Sequence, residues 1–159
     1  MSKRDYTRPQ AAELLRRLSE RRRLMQVVTG ARQVGKTTLV SQVVEKARLP
    51  YVFASADEPT LRGSDWIDAQ WEAARLLLHD TGQGGALLVL DEVQKVPHWS
   101  EVVKRLWDAD TRARRPLKVV LLGSAPLLVQ RGVTEYEAIR SLGCAWICWQ
   151  SLRKDWIAA

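Results

Sequence analysis

GARQVGKTT, residues 30–38, has Gly30, Gly35, Lys36 and Thr37 at the spacing G-x-x-x-x-G-K-[ST]. A loop of this pattern wraps phosphates with its backbone N–H groups, provided a strand enters it and a helix leaves it. The flanks therefore decide the reading. LMQVVT at 24–29 is a short, β-branched-rich apolar run ending at Gly30, which predicts a strand. Leu39, Val40, Val43, Val44 and Ala47 then recur at helical spacing. Strand, loop and helix follow in the order a phosphate-binding loop requires.

The same pattern extends outward. Upstream, residues 7–20 place Ala11, Leu14, Leu15 and Leu18 on one helical face. Downstream, Pro50 precedes a second apolar run, YVFASA at 51–56, and Ser64 or Asp65 can cap a helix to His79 whose buried side holds Trp66, Ile67, Trp71, Ala74 and Leu78. TGQGG at 81–85 reads as a turn. ALLVLDE at 86–92 is a continuous apolar run ending in two acids, the signature of a parallel strand covered on both faces. Pro97 is expected to open another helix, with Trp99, Val102, Val103, Leu106 and Trp107 inward, and LKVVLLGS at 117–124 is a fourth buried strand. Four strands separated by helices predict an α/β fold: a mostly parallel sheet between two helical layers.

A chain of 159 residues suits one domain with a real core. Its 46% hydrophobic and 27% charged residues are ordinary globular values, and no apolar run is long enough to span a bilayer. The polar start MSKRDYTRPQ has no apolar stretch behind it, so the sequence predicts a cytoplasmic protein without a membrane partner. Cys144 and Cys148 have no nearby His or further Cys and read as reduced thiols. The net charge of +7 is concentrated in KR at 3–4, RRR at 21–23 and RARRPLK at 112–118. Such blocks suit either solvated helix ends or contact with nucleic acid or another polyanion.

Chemistry follows from placement. The glycines let N–H groups approach phosphates, the helix starting near Lys36 adds its positive dipole end, and the Lys36 ammonium reaches the β and γ phosphates. Gly30, Ala31, Arg32, Gln33, Val34, Gly35, Lys36, Thr37 and Thr38 are thus the expected nucleotide-binding residues. Thr37 and Asp91 are the expected Mg²⁺ ligands, Asp91 through water. Glu92, one residue on, is placed to orient and deprotonate the water that attacks the γ-phosphate, which makes it with Lys36 and Ser124 the expected catalytic set. Ser124 in GSAP fits two readings, a γ-phosphate contact or a strand-to-helix cap. No N-K-x-D guanine motif is present, which argues against a GTPase, while RARRP at 112–116 is a weak candidate for the phosphate lid of a small-molecule kinase.

GARQVGKTTLV, LLVLDEVQKVPHWSEVVKRLWD and KVVLLGSAPLLVQRGVTE together resemble the ATPase domain of a prokaryotic family of AAA-type ATPases, in which an uncharacterised C-terminal domain follows. The resemblance covers roughly residues 8 to 135 and implies sheet order 5-1-4-3-2, with the strand ending in Ser124 between the loop strand and the Asp-Glu strand. It implies ATP and Mg²⁺ as cofactors, and Lys36, Thr37, Asp91, Glu92 and Ser124 in the roles above. It also implies an arginine from a neighbouring subunit, for which Arg131 and Arg140 are weak candidates; Tyr6 and Arg8 are equally weak candidates for adenine neighbours.

After Glu135 the sequence departs from that pattern. Residues 1–135 are therefore expected to form the ATP-binding domain, and 136–159 a divergent tail that we read as the product of a truncated or frame-shifted gene. Both cysteines and three of the seven tryptophans fall in the last 16 residues. Unless CAWICW adds beside it, the strand at 24–29 is a sheet edge; the tail is otherwise an exposed apolar helix, and either form invites self-association. The expected activity is hydrolysis of ATP to ADP and phosphate, slow for the chain alone. A nucleotide-binding module without turnover is the alternative, and a nucleic-acid-binding protein a third.

Overall fold

A computed structural model describes residues 9–57, 63, 65–80, 84–124 and 144–149. The elements are α1 (Pro9–Ser19), β1 (Met25–Gly30), α2 (Lys36–Ala47), β2 (Tyr51–Ser55), α3 (Asp65–Asp80), β3 (Ala86–Asp91), α4 (Trp99–Arg112), β4 (Leu117–Ser124) and β5 (Cys144–Trp149), with one 3-10 turn at Val93–Lys95. All strands are parallel, in the order β2-β3-β4-β1-β5. This is the 5-1-4-3-2 order that the resemblance implies. The CAWICW run is the fifth strand, registered against β1 from Met25↔Cys144 to Gly30↔Trp149, so β1 is not an edge.

Continuous apolar runs make buried strands because both faces of a parallel sheet are covered. Every residue of β1 and β3 is buried. Alternation along each strand then divides the side chains between two layers. Val28, Leu87, Val89, Val120 and Leu122 meet Ala11, Leu14 and Leu18 of α1 and Leu39, Val40, Val43 and Val44 of α2. Their strand neighbours Val27, Leu88, Leu90, Val119 and Leu121 meet Trp66, Ile67, Trp71 and Ala74 of α3 and Trp99, Val103, Leu106 and Trp107 of α4. The two periods, two and 3.6, fit together as the sequence predicts.

Two local differences have clear causes. α4 starts at Trp99 and not at Pro97, because His98 takes φ 54° and a left-handed residue cannot lie inside a right-handed helix. α1 is described from Pro9 onward; Thr7 and Arg8, where the sequence starts this helix, lie outside the described residues. RARRP leads from the end of α4 into β4, at the N-terminal ends of the strands. The phosphate-loop motif is at the other end, so RARRP cannot be its lid.

Asp110 on α4 joins α3, α4 and the turn before β4. Fully buried, its carboxylate accepts from Trp71 Nε1 at 2.7 Å, Arg75 Nε at 2.9 Å and Arg115 Nη1 at 3.0 Å. A buried carboxylate is tolerable only when its lone pairs are met by charged or polar donors, and here they are. Gly85, at φ 80°, begins the approach to β3; an added Cβ would sit 2.6 Å from the carbonyl oxygen of Pro116.

Candidate nucleotide site

Parallel registers bring Gly30 of β1, Ser55 of β2, Asp91 of β3 and Ser124 of β4 to one end of the sheet. Open α/β sheets bind ligands at this C-terminal end. The loop from Ala31 to Gly35 crosses it. Gln33 and Gly35 both have positive φ, 59° and 86°, which lets the chain reverse and begin α2 at Lys36. Around Gly35 a Cβ would meet nothing within 4 Å, so glycine is needed there for its left-handed backbone and not for room.

Lys36 folds back over its own loop. Its ammonium is buried and donates to the carbonyls of Gly30 at 3.1 Å and Ala31 at 2.7 Å. No carboxylate among the described residues pairs with it. One residue on, Thr37 Oγ1 donates to Asp91 Oδ2 at 2.8 Å, joining the first turn of α2 to the end of β3. The other Asp91 oxygen accepts from the backbone N–H of Glu92 at 2.9 Å. The sequence pairs Thr37 with Asp91 as metal ligands, and the fold brings them into contact.

Glu92 lies just past β3 at φ 52°, which turns the chain out of the sheet into the 3-10 turn. Its carboxylate is half-buried and accepts from Gln94 Nε2 at 2.5 Å. Gln94, itself buried, has no assigned role in the sequence; its signal is a polar residue two places beyond the acid pair, between the apolar Val93 and Val96. Ser124 pairs in register with Gly30, the first residue of the loop. Its hydroxyl is buried and has no hydrogen-bond partner among the described residues. A buried orphan hydroxyl costs free energy unless something meets it. Ala31, Arg32, Gln33 and Thr38 are exposed along the loop. Tyr6, Arg8, Arg131 and Arg140 lie outside the described residues.

The donor set suits Mg²⁺. A hydroxyl and a carboxylate oxygen already within hydrogen-bond distance are hard oxygen ligands of the kind that ion takes, in small number, beside phosphate. The Lys36 ammonium beside a loop with no acidic side chain suits an anion.

A five-stranded parallel sheet with such a loop between β1 and α2 defines a P-loop nucleotide-binding fold. A family described as an AAA domain matches residues 22–143, and the chain belongs to it. The uncharacterized protein MJ1637 of Methanocaldococcus jannaschii is 34% identical over 84 residues, which is 50% of this chain and 18% of that protein. Among solved structures, ORC1 of Aeropyrum pernix in complex with DNA superposes with a TM-score of 0.67 at 14% identity, covering 91% of this chain and 45% of that one. A RuvB variant of Thermotoga maritima gives 0.56 at 18% identity over 87% and 41%. AMPPCP-bound DnaA of Aquifex aeolicus gives 0.54 at 17% identity over 88% and 44%. The likeness is one of fold, and the chain spans less than half the length of each of these relatives. No helix among the described residues is long and apolar enough to cross a membrane.

Proposed function

We propose that this domain binds ATP with Mg²⁺ on the loop at residues 30–38 and hydrolyses it to ADP and phosphate. The observation that carries the reading is the Thr37–Asp91 hydrogen bond, with Glu92 one residue beyond it. Thr37 and Asp91 would hold Mg²⁺, Asp91 through water. Bound there, the ion neutralises charge on the β and γ phosphates.

The chain's own groups do the rest. Loop N–H groups from Ala31 to Thr38 and the N-terminus of α2 hold the phosphates. Lys36 gives up its two carbonyl acceptors to contact the β and γ phosphates. The Glu92 carboxylate takes a proton from water as the water oxygen bonds to the γ-phosphorus and the bond to the β–γ bridging oxygen breaks. Ser124, with its hydroxyl otherwise unpaired, contacts the γ-phosphate or that water. An activity fed by Mg-ATP fits a cytoplasmic location.

The Gln94 contact favours a second reading. An amide donating to the Glu92 carboxylate occupies an oxygen that would otherwise accept the proton of the attacking water. A domain held in that state binds nucleotide with little turnover. Steady-state phosphate release with Mg²⁺ separates the two. The intact chain should release phosphate and Glu92→Gln about 10² to 10⁴ times less, at unchanged ATP affinity. If both stay at background while ATP binds, the domain is a binding module and the hydrolytic reading fails.

A further inference from the structure

Two hollows of about 540 and 600 Å³ among the described residues lie away from the nucleotide site, at the N-terminal ends of the strands. They adjoin, sharing Glu20, Arg21, Arg22 and Lys118. None of residues 30–38, Asp91, Glu92 or Ser124 lines either one. Two segments far apart in sequence form most of the walls: the end of α1 with residues 20–26, and residues 111–119.

Arg22 and Lys118 fix these walls together. The Arg22 guanidinium lies 3.5 Å from the Trp107 ring centre and donates to the carbonyls of Leu117 at 2.8 Å and Trp107 at 3.0 Å and to Thr111 Oγ1 at 2.9 Å. Lys118 donates to the carbonyl of Leu18. Other cations here are matched by acids: Arg16 by Glu13 and Glu20, Arg17 by Glu13, and Arg115 by Asp110. Those contacts hold the pole in shape and leave little charge to spare.

Arg21, Arg23 and Arg114 are different. All three are exposed on the hollows, and no carboxylate among the described residues pairs with any of them. Glu20, the acid in the lining, is occupied by Arg16. The cations are arginines, whose planar fork matches phosphate oxygens better than an ammonium does. The surface is concave, which fits a strand or ridge of negative charge better than a flat bilayer.

We propose that this groove binds the sugar-phosphate backbone of a nucleic acid, without regard to base sequence, through Arg21, Arg23 and Arg114. The site is separate from the nucleotide loop, so occupancy of one leaves the other free.

The test is binding of a fluorescently labelled duplex DNA of mixed sequence, with saturating Mg-ATP present so that the loop at 30–38 is filled. Affinity should fall with salt, with a log–log slope of about −0.9 per phosphate contacted. The triple variant Arg21→Ala, Arg23→Ala, Arg114→Ala should bind at least about tenfold more weakly, with the slope reduced by about one per arginine removed. The corresponding triple lysine variant keeps the charge and should retain most of the slope, which separates lost contacts from a lost fold. Binding that ignores salt, survives the alanine variant unchanged, or disappears when Mg-ATP is added overturns the proposal. So does a groove that takes an acidic peptide or anionic vesicles while failing to take DNA.

Discussion

The two ends of this sheet hold charge in opposite ways. At the C-terminal end the backbone dominates: a glycine loop, the start of α2 and three strand ends place Lys36, Thr37, Asp91 and Ser124 within a short compass. At the N-terminal end side chains dominate, with arginines anchored on Trp107, Leu117 and Asp110 from across the fold. A backbone-built site needs a short motif in sequence, whereas a side-chain-built one needs only that the fold bring distant residues together.

The largest expected effect breaks the comparison at one end alone. Asp91→Asn removes the carboxylate that meets Thr37, so Mg²⁺-dependent phosphate release should fall by at least about 10², the scale of losing a positioned catalytic group. Stability, read as Tm, and DNA binding should not follow it. A parallel loss of all three would mean that the two ends are not separable.

At the other end, Asp110→Ala leaves Arg75 and Arg115 without their buried carboxylate and frees Trp71 Nε1. Removing one partner from such a buried network costs about 3–5 kcal/mol. Chemical denaturation should show a lower midpoint, while ATP affinity at low denaturant is kept. Gly85→Ala is a smaller break of the same end: a left-handed residue gains a Cβ against the Pro116 carbonyl, for about 1–3 kcal/mol. A midpoint unchanged by Gly85→Ala would show that the turn before β3 relaxes freely.

The smallest effect concerns pH. Hydrogen bonds from Arg16 and Arg17 lower the Glu13 carboxyl from 4.5 to about 2. A depressed folded pKa gives stability that is present above the unfolded value and is lost as pH falls from about 4.5 toward 2. The Glu13 side chain is 38% exposed, so solvent screening keeps the contribution small. Thermal melts between pH 5 and 3 should show a shallower acid decline for Glu13→Gln than for the unaltered chain.

What the sequence reveals follows the same division. Strands β1, β3 and β4 are legible because burial on both faces demands continuous apolar runs, and the loop because glycine and lysine must stand at fixed spacing. CAWICW was open between strand and helix, since a short apolar run has no period of its own to decide. The start of α4 was misplaced because a left-handed His98 leaves no mark in composition. Asp110 was missed because its donors Trp71 and Arg75 lie 39 and 35 residues away. The basic blocks at 21–23 and 112–118 were visible as charge, but not which arginines were already engaged, because Arg22 finds Thr111 across 89 residues.

β4 spans the whole distance between the two ends, from Leu117, whose carbonyl Arg22 grips, to Ser124 beside the loop. Its eight residues extend about 26 Å at roughly 3.3 Å each. The Debye length in physiological salt is about 8 Å. The arginine groove and the loop both open to solvent, and they lie about three such lengths apart. Two strongly charged ligands can therefore occupy one small domain while remaining electrically almost invisible to each other.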